Sequence, residues 1–342
     1  MRTHTELDAL VRELAPVRDS ELTGSVRSQD AQRLLTTILA LSQRRARRRP
    51  YVAAAAAAAV VAAGIGLVVG GSHGTATASA ATALKKAAAA ARKQAPLVAQ
   101  SGQFVYTRTQ YTALSTLQAQ LNERNIRAQR ALLRGKRNAA LTYGALIPWS
   151  RESWIGPTGG RMRQIPGRPT FVTDRDRDLW IADGRPSFTG PTAAEWTPLP
   201  PAQPLSLRSE PDGLYAQLNQ ETASYGDRQY AEMFVLVGDA LRETNASPAQ
   251  RAALYAVAAR IPGVDLVGEV TDSAGRRGIA VAKDDDVNHM RSILVFDPQT
   301  SVLLAEEEST LDGNSLGYPA GVHVDSATYL ETAIVDSLGA RP

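Results

Sequence analysis

Five arginines, Arg44, Arg45, Arg47, Arg48 and Arg49, stand just before an 18-residue run, Val52 to Val69, that holds no charged or strongly polar side chain. A helix that is apolar on every side has no face to show to water. At about 1.5 Å rise per residue the run, extended by Tyr51, Gly70 and Gly71, just reaches across a hydrocarbon core of roughly 30 Å. It therefore reads as a transmembrane helix over residues 51–71. Nine Ala and five Val against single Ile and Leu residues make it only marginally hydrophobic, and Val52, Val60, Ile65, Leu67 and Val69 are its strongest apolar members. The arginine cluster sets the topology: residues 1–50 lie in the cytoplasm and everything after about residue 72 lies outside the cell membrane.

The competing reading is a cleaved export signal, with Arg44-Arg45 as a twin-arginine start and Ala76-Thr77-Ala78 or Ala78-Ser79-Ala80 as the cleavage site. Two features oppose it. The run exceeds the usual apolar region of about 7–15 residues, and a 50-residue leader with helical patterns of its own is too elaborate to discard.

The charge balance follows the same division. Residues 1–50 carry ten Arg against six acidic residues, whereas the remainder is balanced, so the net charge of +4 belongs to the cytoplasmic segment. Of the 38 basic residues only five are Lys, a bias that with the abundant Ala suggests a GC-rich bacterial genome. The absence of Cys excludes a disulfide framework, thiolate metal sites and a cysteine nucleophile.

Within the cytoplasmic segment Leu7, Leu10, Val11 and Leu14 recur at helical spacing before Pro16. A second helix over residues 28–43 gathers Leu34, Leu35, Ile38, Leu39 and Leu41 on one side. Leu7, Leu10, Val11, Leu14, Leu34, Leu35 and Ile38 are the expected partner face, because stripes this short cover one another only partly; lipid headgroups are the alternative cover.

Beyond the span, residues 72–100 read as a small-residue linker and an Ala/Lys helix over residues 80–94. Residues 101–342 read as an α+β domain with an antiparallel, curved and half-barrel-like sheet and inserted helices. Its expected strands are 103–111, 150–155, 160–165 and 179–182, then a C-terminal meander over 265–271, 278–283, 291–297, 302–309 and 322–332. Its expected helices are 113–140, 211–222, 227–244 and 247–260, with residues 190–206 an irregular crossing.

No constellation of catalytic residues emerges, so no enzyme and no cofactor are expected. Gly313-Asn314-Ser315-Leu316-Gly317 matches the nucleophile-elbow pattern, but Tyr318-Pro319-Ala320-Gly321 cannot start the helix that this turn requires, and His323 precedes Asp325. Asp284, Asp285, Asp286, Asn288 and His289 gather possible calcium ligands, yet His289 and Val295 occupy the positions where an EF-hand loop needs Gly and Glu. A solvated hairpin is the better reading. Arg124, Arg127, Arg130, Arg134 and Arg137 form a basic stripe that suits solvent or anionic headgroups, with no nucleic acid expected outside the cell. Asp174 to Asp178 alternates in sign as surface pairs do, and Trp149, Trp154, Trp180 and Trp196 lie near strands, where core packing is the default.

The order of the Arg cluster, the Ala-rich span, Gly102-Gln103-Phe104-Val105-Tyr106-Thr107-Arg108, Arg151-Glu152-Ser153-Trp154-Ile155, Val237-Gly238-Asp239-Ala240-Leu241, Ile261-Pro262-Gly263-Val264 and Gly278-Ile279-Ala280-Val281-Ala282 resembles an uncharacterised actinobacterial family of single-pass membrane proteins. Members are commonly encoded beside extracytoplasmic-function sigma factors. The resemblance implies an anti-sigma or accessory regulator whose outer domain senses a ligand and whose cytoplasmic segment meets a sigma factor. The chain departs from zinc-containing anti-sigma factors, since it has no Cys and His4 stands alone. By element order it is also similar to envelope lipoprotein-carrier and stress-sensor domains, which implies the alternative of a membrane-tethered envelope binding or lipid-carrier module.

Overall fold

The computed structural model describes residues 77–118, 142–191 and 196–342. Helix α1 (Ala78–Ala91) is followed by strands β1 (Phe104–Gln118), β2 (Thr142–Gly156), β3 (Gly159–Pro166) and the short β4 (Thr170–Phe171). Helix α2 (Asp174–Ala182) and strand β5 (Trp196–Leu199) lead to α3 (Pro211–Thr222), a 3-10 turn, α4 (Gln229–Leu241) and α5 (Pro248–Ala258). Five strands close the chain: β6 (Val264–Thr271), β7 (Arg277–Asp285), β8 (Met290–Phe296), β9 (Leu303–Thr310) and β10 (His323–Val335).

All ten strands belong to one antiparallel sheet in the order β5-β3-β2-β1-β10-β9-β8-β7-β6, with β4 also on β2. The end strands β5 and β6 do not pair with each other, so the sheet is open. Two meanders meet in it. β1, β2 and β3 follow one another across one half and β6 to β10 across the other, and the ladder from Phe104↔Val335 to Ala113↔Asp325 joins them. Bulges at Arg108/Thr109, Leu266/Gly268, Val295/Phe296 and His323/Asp325 bend the strands that carry them.

The main core lies where α1, α3, α4 and α5 cover one face of β6, β7 and β8. Leu84, Leu214, Phe234, Val237, Leu254 and Tyr255 from the helices meet Val264, Val281, Leu294 and Phe296 from the strands. Tyr255 packs edge-on to Phe296 at 5.3 Å and donates its hydroxyl proton to the Ser301 carbonyl at 2.7 Å, so its one buried polar atom is satisfied. At Gly238 a Cβ would come within 2.9 Å of Leu294 Cδ2, so a larger residue there would make the Leu294 side chain shift.

Local chemistry explains the helix starts. Ser247 and Gln250 form a capping box ahead of Pro248, and Thr173 and Asp176 form another at α2. The second overturns two expectations. Residues 179–182 are the end of a helix rather than a strand, because the cap fixes the start at Asp174 and Leu179 turns into the core. Asp176 is buried in that cap instead of pairing on the surface, although Arg177 and Asp174 do pair outside at 3.0 Å. Residues 113–118 continue β1, where Leu114 and Leu117 oppose Leu146 and Tyr143, and are not helical. The expected irregular crossing contains β5, paired to β3. Helix α1, expected in a linker region before residue 101, is a core element through Ala80, Leu84, Ala87 and Ala91.

No helix among the described residues is long and apolar enough to cross a membrane. The expected span, the cytoplasmic helices and the basic stripe of residues 124–137 lie outside the described residues.

Because α1 packs directly on α5, Leu84→Ala should cost about 2–5 kcal/mol, whereas Lys85→Ala on the exposed side should cost under about 0.5 kcal/mol. Denaturant unfolding of the two variants checks this.

Candidate functional site

The helices do not reach the middle of the sheet's face, where Thr109, Tyr111, Ile147 and Ala327 are nevertheless buried. α1 packs on β6, α4 on β7 and β8, and α2 on β2 and β4, so among the described residues no helix backbone packs closely on β9, β10 or β1. Directly opposed residues of an antiparallel pair share a face, so the register fixes what lines this gap. Leu294, Glu306, Ala327, Tyr111 and Trp149 form one row across five strands. Tyr329, Thr109, Arg151 and Gln164 form the next, and Glu308, Asp325, Ala113 and Ile147 run along the other side. The end of α4 supplies a wall with Asp239, Arg242 and Glu243.

The floor is an aromatic and cationic stack. Tyr111 lies against Trp149 with ring centroids 5.2 Å apart and planes 9° from parallel, and the Arg151 guanidinium sits 4.8 Å from the Tyr111 ring. Arg151 also donates to the Gln164 carboxamide oxygen, at 2.8 Å from Nη2. Trp149 Nε1 is enclosed and has no hydrogen-bond partner, an orphan donor of a kind that costs about 1–3 kcal/mol when left unmet.

The wall carries the charge network. Arg242 pairs with Asp239 one turn back on α4 and donates to Glu306 Oε2 at 3.3 Å, while Tyr329 donates its hydroxyl proton to Glu306 Oε1 at 2.5 Å. Burial disfavours the Arg242 charge, but Glu306 and Asp239 outweigh it and hold the guanidinium even more firmly protonated than usual. Burial and the neighbouring Glu306 push the Tyr329 phenol well above its ordinary range, so it stays a donor. Glu243 is exposed, yet desolvation together with the nearby Asp239 outweighs Arg242 and Arg151 and raises its carboxyl. Among the described residues the Glu243 carboxylate has no hydrogen-bond partner, while its backbone bonds to Ala240 and Ala246.

Asp239 and Glu306 are matched by Arg242 and Tyr329, and among the described residues Glu243 is the exposed carboxylate that stands near Arg151 and the aromatic stack. Such a site can hold a cationic group, attracted by that carboxylate and by the ring faces.

The residues singled out from the sequence fall elsewhere. Arg44 to Arg49, Val52 to Val69 and the partner face from Leu7 to Ile38 lie outside the described residues. Ser315 is exposed in a loop with no helix after it, and Asn314 beside it holds that loop by donating to the Leu311 and Tyr318 carbonyls. The acidic hairpin spends its charges locally: Asp284 receives Arg291 at 2.6 Å, and Asp285 receives Arg228 at 2.8 Å and the turn amides of Val287 and Asn288. No group of His, Asp and Glu able to hold a metal occurs among the described residues. The four tryptophans do not share a pocket, since Trp149 stacks on Tyr111, Trp154 and Trp196 meet on the opposite face, and Trp180 packs on Phe171. Sequence reasoning missed Tyr111, Glu243, Glu306 and Tyr329 as site residues, although the quoted family segments do contain Arg151 and Asp239.

A carboxyl raised on folding binds its proton more tightly in the folded chain, so its contribution to stability falls as pH rises from its ordinary 4.5 through the raised value. Glu243→Gln should therefore be more stable than the parent at pH 7, and the difference should vanish below pH 4.5, as thermal melts across that range would read. No family model, curated protein or solved structure matches the chain.

Proposed function

We propose that the chain is a single-pass protein of a bacterial envelope whose outer domain binds a small cationic ligand beside Glu243 and whose cytoplasmic segment, residues 1–50, passes that state to a sigma factor. The observation that carries the ligand half is the exposed Glu243 carboxylate near Arg151 and the Tyr111–Trp149 stack. A positive group beside Glu243 would offset its poor solvation and leave it ionised, so binding would relieve a cost that the free domain bears. The signalling half rests on the order of the Arg cluster, the apolar run and the helical spacing of the apolar residues from Leu7 to Ile38, together with the family resemblance.

A tethered lipid carrier is supported less well. It would need an open apolar enclosure, whereas the apolar face under α1, α3, α4 and α5 is filled by Leu84, Leu214, Leu218, Phe234 and Leu254.

With the full chain in nanodiscs, choline and agmatine should raise the melting temperature and acetate and phosphate should not. Glu243→Gln should weaken the cation effect at least tenfold in midpoint concentration. A response to the anions alone, or an unchanged cation response in the variant, would remove the ligand assignment. For the cytoplasmic half, crosslinking in the native host should capture a sigma factor, and Leu10→Asp with Leu34→Asp should abolish capture; undiminished capture would contradict it.

A further inference from the structure

On the other face of the same strands, residues 340 and 341 lie against Trp154 and Glu152. Strand β10 ends at Val335, and residues 336–342 turn back over β1 and β2, the turn closed by Ala340 N donating to the Ser337 carbonyl at 3.2 Å. Trp154 Nε1 donates to the Ala340 carbonyl at 2.5 Å. Arg341 grips Glu152 side-on, with Nε 2.8 Å from Oε1 and Nη2 3.0 Å from Oε2. Glu152 is 4% exposed and Trp154 1%, while residues 336–339 are exposed and Arg341 is half in solvent.

These contacts use groups that any peptide with an arginine supplies, namely a backbone carbonyl and a guanidinium. They are also built without the tail. Arg163 Nε donates to Glu152 Oε2 at 2.6 Å and the Tyr106 hydroxyl donates to Oε1 at 2.9 Å, so both carboxylate oxygens are fixed in place by β1 and β3. Burial works against the Glu152 charge, but Arg341, Arg163 and Tyr106 hold the carboxyl below its usual range. The rim is apolar and unfilled: Trp196, 5.3 Å from Trp154, is 46% exposed, and Ile165 and Leu338 are 40% and 41% exposed. The register points Ile165, Arg163 and Trp196 to this same side. Tyr106, Trp154 and Val335 form a small core that Ala340 covers, and beside it lie a preformed acceptor for a planar cation and exposed apolar groups, the features of a protein contact.

We propose that the Glu152–Trp154 site docks an extended, arginine-bearing segment of a partner protein, and that residues 337–341 are a resident stand-in which such a segment displaces. The proposal does not depend on the Glu243 site or on its ligand.

A fluorescein-labelled peptide of sequence Ser-Leu-Gly-Ala-Arg-Pro serves as the probe, read by anisotropy with the full chain in nanodiscs. Arg341→Ala removes the resident guanidinium at a half-exposed position, and the peptide should bind this variant at least tenfold more tightly than the parent. Replacing the peptide arginine by citrulline, which alters no protein residue, should weaken binding to Arg341→Ala at least tenfold, as should adding Glu152→Gln. Equal binding to parent and Arg341→Ala, or equal binding of the arginine and citrulline peptides, would make the tail a structural strap and overturn the proposal. If light scattering shows the parent chain dimerising in a way that Glu152→Gln abolishes, the occupant is a second copy's tail, and the assignment to a different protein fails.

Discussion

The antiparallel ladder between β1 and β10 is the interaction on which the rest of the molecule depends. Its partners are more than two hundred residues apart, as in Phe104↔Val335, and among the described residues no other strand pairing joins the N-terminal meander to the C-terminal one. Closing so long a loop costs entropy that no local contact returns, so the two halves have to complete the sheet together. The candidate site exists only because of that join: Glu306 and Ala327 come from one meander, Tyr111 and Trp149 from the other, and they form a single row only when β10 lies beside β1.

The two-residue period of a strand then divides the chemistry of these strands between faces. On β2, Trp149 and Arg151 look toward the candidate site while Glu152 and Trp154 look the other way; on β1, Thr109 and Tyr111 oppose Tyr106 and Arg108 in the same fashion. A slip of one residue would exchange the two sets and place Glu152 on the face of Glu306. Each buried charge is matched where it stands, Arg242 by Asp239 and Glu306, Glu152 by Arg163 and Arg341. Breaking one partner of such a set costs more than the set contributes net, so these networks fix the arrangement more than they add stability.

The legible parts of the sequence were those in which local signals agree. Turn residues at Asp272 to Gly275 and at Asp297-Pro298 bound the C-terminal strands, and Ser247-Pro248 marks the start of α5, so these elements fall close to where the pattern puts them. Leu179-Trp180-Ile181-Ala182 reads as a strand because four apolar residues run together, and the signal that decides otherwise, Thr173 with Asp176, spans four residues and lies upstream. Leu114 and Leu117 satisfy a helical spacing, yet their partners Leu146 and Tyr143 are about thirty residues away and win. The candidate site was not legible at all. Tyr111, Arg151, Arg242, Glu306 and Tyr329 come from five elements, and only the register brings them within reach of one another.

The register between β1 and β10 can be measured directly, because the chain has no native Cys to confuse a crosslink. Thr112 and Ser326 are direct partners across the join, and such partners lie within the Cα separation of about 4.4–6.8 Å that a disulfide requires. Thr112→Cys with Ser326→Cys should oxidise to completion within the chain on a non-reducing gel. Thr112→Cys with Asp325→Cys, one residue out of register and on the opposite face, should not. Equal crosslinking of the two pairs, or none in the first, would contradict the single ten-stranded sheet and with it the candidate site.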